Sequence, residues 1–83
     1  MKLNKNEETI IAMLAWMNAT KCTNAKRDGN IITVDKGENF NLRAGNVFTE
    51  YLYNNCKNGD YLEIGGYREV VFRFEHLTVK CYD

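Results

Sequence analysis

Val70-Val71-Phe72-Arg73-Phe74-Glu75-His76-Leu77-Thr78-Val79-Lys80-Cys81 carries two apolar alternations that are out of step. Val70, Phe72 and Phe74 fall on even positions; Leu77, Val79 and Cys81 fall on odd ones. Successive side chains of a strand point to opposite faces, so one regular strand would turn half of this set to solvent. One extra residue near Glu75-His76 repairs the phase. The expectation is a C-terminal strand with a β-bulge there, and the alternative is a tight turn that splits the segment into two strands.

Upstream, Asp60 to Ile64 and Tyr67 onward form a hairpin about Gly65-Gly66, with Glu63 opposite Arg68. A helix fits residues 46 to 57. Asn46 can cap it, Val47, Phe48, Tyr51, Leu52 and Cys56 share a face, Tyr53 falls outside that face, and Asn58-Gly59 supplies a left-handed stop. Phe40 and Leu42 would add a short strand or plug the core. Asp28-Gly29 is a two-residue hairpin signal between Thr20–Arg27 and Asn30–Asp35, and counting outward puts Ala25 opposite Ile32 and Thr23 opposite Val34.

At the amino end, Ile10-Ile11-Ala12-Met13-Leu14-Ala15-Trp16-Met17 is an unbroken apolar run of good helix formers. Asn4 with Glu7 three residues later makes a capping box, so the first helix covers about residues 5 to 19. Ile10, Met13, Leu14 and Met17 form the centre of one face, with Ile11 at its edge. Ala12 and Ala15 point the other way, and Trp16 sits on the flank. A run of eight goes right round a helix, so a single flat contact cannot cover it. The element order α-β-β-α-β-β predicts one α+β domain over residues 1–83: an antiparallel sheet of four to five strands packed on two helices.

Composition narrows the function. Eleven Lys and Arg balance eleven Asp and Glu, whereas proteins held by phosphates usually carry a basic excess. Two acids near the start stand where a signal peptide needs its apolar region, and no apolar span approaches the ~20 residues of a membrane helix. A cytoplasmic protein is expected. Cys22, Cys56 and Cys81 are widely spaced with no CxxC pair, which argues against a disulfide framework or a zinc site. No metal and no cofactor are expected. The abundance of Asn, Lys, Ile and Tyr, with no Ser, Pro or Gln, fits an AT-rich source such as a low-GC bacterium or its phage.

His76 is the sole histidine. With Cys81 or Cys56 brought near, it would supply the parts of a thiol enzyme, but no nucleophile motif surrounds these residues and an enzyme is not expected. Glu7 and Glu8 lie in a first helical turn, where the helix dipole stabilises negative charge. Glu63, Glu69 and Glu75 read as solvated strand residues.

The large aromatics outside the core stripes are the candidate partner-binding residues: Trp16, Tyr53, Tyr67 and Tyr82. Such side chains bury much area at little entropic cost and keep a polar tip. The expected function is a small intracellular, non-enzymatic module that binds a larger protein or complex. Its specific version is a phage or mobile-element inhibitor of a host enzyme or defence complex, and self-pairing through the flank of helix 1 is a further expectation. The alternative is a nucleic-acid accessory protein using the Lys26-Arg27 hairpin with Lys21, Arg73 and Lys80, although Asp28, Glu69 and Glu75 are interleaved with these cations.

Overall fold

The computed structural model describes residues 2–56, 58–64 and 67–82, with the backbone alone for 58–64 and for Tyr67 and Arg68. Helix α1 runs Lys5–Ala19, β1 Thr23–Asp28, β2 Ile31–Lys36, α2 Leu42–Asn55, β3 Asn58–Ile64, β4 Tyr67–Arg73 and β5 Thr78–Tyr82. The five strands form one sheet in the order β1-β2-β5-β4-β3. The fold is α+β, as the sequence predicts.

Helix α1 starts at the expected residue. The Asn4 side chain accepts from the Glu7 N–H at 2.9 Å, and Glu7 Oε1 accepts from the Asn4 N–H at 2.8 Å, which satisfies two of the donors a helix start leaves open. The helix ends in a Schellman turn: the Cys22 N–H reaches Met17 O at 2.9 Å and the Lys21 N–H reaches Asn18 O at 3.0 Å. Lys21 holds the left-handed position of that turn, at φ 61°, where glycine is the usual occupant.

The first hairpin turns one residue later than expected. Asp28 pairs with Ile31, so Gly29-Asn30 is the loop, with Gly29 at φ 63° as a II′ turn requires at its first position. Ala25 therefore faces Val34, and Arg27 faces Ile32. This two-residue slide preserves the faces. Asn18 from α1 reaches over the outer side of β1: its Oδ1 accepts from the Ala25 N–H at 3.0 Å and the Thr23 hydroxyl at 2.8 Å, and its Nδ2 donates to Ala25 O at 3.1 Å. The amide thus replaces a neighbouring strand at that point of the edge.

The expected bulge at Glu75-His76 is a turn instead. The Phe74 N–H donates to Leu77 O at 2.8 Å, and β4 pairs antiparallel with β5, with Phe72 opposite Val79 and Val70 opposite Cys81. A two-residue turn pairs even positions with odd ones, so both alternations land on one face. The sheet is mixed rather than wholly antiparallel. The β1-β2 hairpin and the β3-β4-β5 meander meet along β2 and β5, which run parallel, with Ile32 beside Val79 and Val34 beside Cys81. Local turn signals fix each hairpin but not which edges join. The β3-β4 register puts Glu63 opposite Arg68 and Ile64 opposite Tyr67, as expected.

Helix α2 begins four residues before the expected start. Asn41, not Asn46, is the cap, its Oδ1 accepting from the Arg43 N–H at 2.9 Å. Gly45 is no obstacle, because a Cβ there would come within 3.0 Å of the Phe40 ring, and the small residue lets that ring pack against the first turn. Asn58-Gly59 opens β3 instead of ending the helix.

Both helices cover the same face of the sheet. Ile10, Leu14 and Met17 of α1, Phe48 and Leu52 of α2, Ile32 and Val34 of β2, Phe72 of β4, Leu77 of the turn and Val79 of β5 build one cluster. Burying a large aliphatic or aromatic side chain contributes ~1.5–3 kcal/mol, so these contacts supply the main driving force for a chain this short.

Candidate functional site

The two helices lie antiparallel. Tyr51 Oη donates to Asn6 Oδ1 at 3.5 Å at one end, and towards the other Met13, Trp16 and Met17 line a groove with Asn41, Arg43, Ala44 and Val47. The groove has a volume of about 290 Å3 and opens away from the sheet. Trp16 is 62% exposed and Val47, expected on the buried face, is 55% exposed. Helical geometry explains both: Ile10, Leu14 and Met17 occupy the inward stripe of α1, and Phe48 and Leu52 occupy that of α2, leaving Trp16 and Val47 on the outer rim.

The other aromatic candidates lie elsewhere. Tyr53 is 41% exposed, but its ring packs edge-on against Phe72 with centroids 4.9 Å apart at 82°, so it serves the core as well as the surface. Tyr82 sits on the sheet face away from the helices, opposite Glu69. Burial, then the Glu69 and Asp35 carboxylates and a hydrogen bond to Glu69, push its phenol above the ordinary value of 10.0. The Tyr67 side chain lies outside the described residues. Trp16, Tyr53 and Tyr82 therefore do not form one patch.

The basic candidates split in a similar way. Lys26 and Lys80 flank Thr33 on the helix-free face, and Arg73 joins them two register pairs away, opposite Thr78. Arg27 belongs to the opposite register and turns its Nε to Gly29 O at 2.9 Å. Lys21, in the helix-strand turn, pairs with Glu38 at 3.6 Å across exposed surface.

One polar cluster is only partly signalled in the sequence. Glu7 is fully buried. Its Oε2 accepts from the His76 backbone N–H at 2.5 Å, while Oε1 accepts from Asn4 and lies 3.7 Å from His76 Nδ1. Glu75 stands 3.9 Å from the far side of the ring, at Nε2. A carboxylate buried in this way must be hydrogen-bonded, and this one is, at both oxygens. It ties the β4-β5 turn to the start of α1. The capping box announces the bond to Asn4; the 69-residue separation from His76 hides the rest.

No disulfide joins the cysteines; Cys22 is buried and Cys56 and Cys81 are half-buried. Among the described residues no three His, Cys, Asp or Glu side chains converge as a metal site, and no helix is long and apolar enough to cross a membrane. No family model, curated protein or solved structure matches the chain.

Proposed function

We propose that this chain is a non-enzymatic protein-binding module that docks onto a larger protein through the helix-layer face centred on Trp16. One observation carries the reading: the single tryptophan stands 62% exposed at the rim of an apolar groove, while Ile10, Leu52, Phe72 and Val79 are sealed completely. Scattered exposed apolar residues are ordinary on protein surfaces. An indole beside an apolar groove is the usual make-up of a binding hot spot, because it buries a large rigid surface and keeps one donor for orientation. A cytoplasmic setting and a phage or mobile-element inhibitor are the specific form of this proposal, and they rest on composition alone.

The test is a paired capture from a cytosolic extract of a low-GC bacterium, with wild type and Trp16→Ala as baits and the retained proteins identified by mass spectrometry. A partner held by wild type and lost by a variant of unchanged helicity supports the reading. Equal retention by both, or no partner for either, removes it.

A second reading has its own observation: Lys26, Lys80 and Arg73 share the helix-free sheet face with Tyr82, an arrangement suited to phosphate contacts with a stacking ring. Asp28, Asp35 and Glu69 share that face too and weaken it. Retention of single-stranded nucleic acid that falls steeply with added salt supports this reading, and no gel shift at low ionic strength removes it.

A further inference from the structure

We infer that the occupant of the helix-layer face is a second copy of this chain, docked about a two-fold axis so that α1 lies antiparallel on α1 of its partner and α2 on α2. The inference rests on the proposal that the Trp16 face is an interface, and it adds the partner and the register.

The exposed strip of α1 is unusually plain. Thr9, Ala12, Ala15, Trp16 and Ala19 all face solvent, and no charge interrupts the helix between Glu8 and its end. Small side chains let a second helix approach to the ~8 Å end of the usual 8–10 Å axial range. The exposed strip of α2 is Arg43, Asn46, Val47, Glu50 and Asn54, with an apolar centre and opposite charges at its ends.

Charge placement selects a copy of the same chain over an unrelated partner. Because Tyr51 meets Asn6, exposed Glu8 and Glu50 lie at one end of the helix layer. Arg43 lies at the other end, beside Met13 and Trp16. A two-fold axis through the middle, near Ala12 and Val47, brings Glu8 and Glu50 of each copy towards Arg43 of the other, with exposed Lys5 one turn outside Glu8. Glu8 then faces the level of the second copy's Trp16 and Arg43, and Glu50 approaches the same arginine along α2. Each favourable contact occurs twice, as a closed two-fold interface demands. At this register each Trp16 ring lies on the other copy's α1 between Glu8 and Ala12.

Area sets the expected strength. Two helices of about 22 Å length and about 10 Å width present roughly 450 Å2 of footprint per copy, near the lower bound of ~1,000 Å2 in total for a specific pair. The dimer is therefore weak and concentration-dependent. The product is a four-layer particle, sheet outside and helices inside.

The experiment is sedimentation equilibrium over ~10 μM to ~1 mM, concentrations suited to a weak pair, with helicity checked by circular dichroism. Wild type should pass from 9.6 kDa to twice that mass. Ala12→Glu, at an exposed position, should stay monomeric with unchanged helicity. Arg43→Glu should weaken association at least tenfold, Glu50→Arg should do likewise, and the double exchange should recover most of the loss, since charges facing across the axis are restored only in pairs. A wild type that stays monomeric at the highest concentration overturns the inference, and so does a double exchange no better than either single change. A monomeric wild type that still loses a captured partner on Trp16→Ala leaves the docking proposal standing and defeats this one alone.

Discussion

Replacing Glu7 by Gln removes one acceptor from a buried site that has two donors. In the native protein Oε1 receives the Asn4 N–H at 2.8 Å and Oε2 receives the His76 N–H at 2.5 Å. Glutamine offers a single oxygen, and its NH2 group must face one of those N–H groups whichever way the amide is turned. A hydrogen bond to a charged group contributes ~1.5–3 kcal/mol, and a buried donor left unpaired costs ~1–3 kcal/mol, largely the same energy seen from two sides. We expect a loss of about 2–3 kcal/mol, against a total stability of about 4–12 kcal/mol for a chain of this length. The melting temperature should drop by roughly 10–20 °C. His76→Ala keeps the backbone N–H that makes the bond, and the imidazole Nδ1 it deletes lies 3.7 Å from Glu7, so its cost should stay below about 1 kcal/mol. Urea unfolding followed by far-UV circular dichroism measures both, read as midpoint shifts at constant slope. If Glu7→Gln lies within about 0.5 kcal/mol of wild type, the carboxylate latch has no energetic weight. If His76→Ala costs as much as Glu7→Gln, the ring and not the backbone donor carries it.

Other perturbations test separate parts of the structure. Lys21→Gly relieves a left-handed backbone at φ 61° and gives up only an exposed ion pair, so it should raise stability by about 0.5–1 kcal/mol in the same assay; a loss would mean the Schellman turn is misread. Tyr53→Ala deletes the edge-on contact with Phe72 and should cost ~1–2 kcal/mol while leaving the Trp16 face intact, visible as a lower melting temperature with unchanged indole fluorescence. For Tyr82 the folded protein holds the phenol above 10.0, so the native state disfavours the phenolate that the unfolded chain forms freely. Stability from this residue is complete below about pH 10 and is lost as pH rises through the raised value. Tyr82→Phe should remove that part of the alkaline decline, and phenolate absorbance should show one fewer late-titrating tyrosine.

The elements whose signals are local were legible in the sequence. Asn4 and Glu7 announced the start of α1 because a capping box lies within four residues, and the helical wheel separated Ile10, Leu14 and Met17 from Ala12, Ala15 and Trp16. The phase break between Phe74 and Leu77 was legible too, but its cause was not. A bulge and a two-residue turn shift parity alike, and Glu75-His76 has no Gly or Asn to mark a turn. What decides is whether residues 78–82 find strands on both sides, which is a tertiary fact. Gly45 concealed the true start of α2, since its need for smallness comes from Phe40 and not from its neighbours along the helix. Of the candidate site, Trp16 was found from periodicity alone. Val47 was missed because its exposure depends on where α1 lies, and the Glu7-His76 tie because nothing in either residue's surroundings points to the other.

Strand β5 lies in the middle of the sheet, hydrogen-bonded to β2 on one side and β4 on the other. A ribosome making this chain therefore delivers the keystone after every other element of the sheet and both helices. Until Thr78–Tyr82 emerges, the first hairpin and the β3-β4 pair have no shared partner, and the two helices have half a floor to rest on. Folding is consequently all-or-none and late, with slow, non-local pairing. Clipping these five residues should yield not a trimmed domain but two unjoined halves.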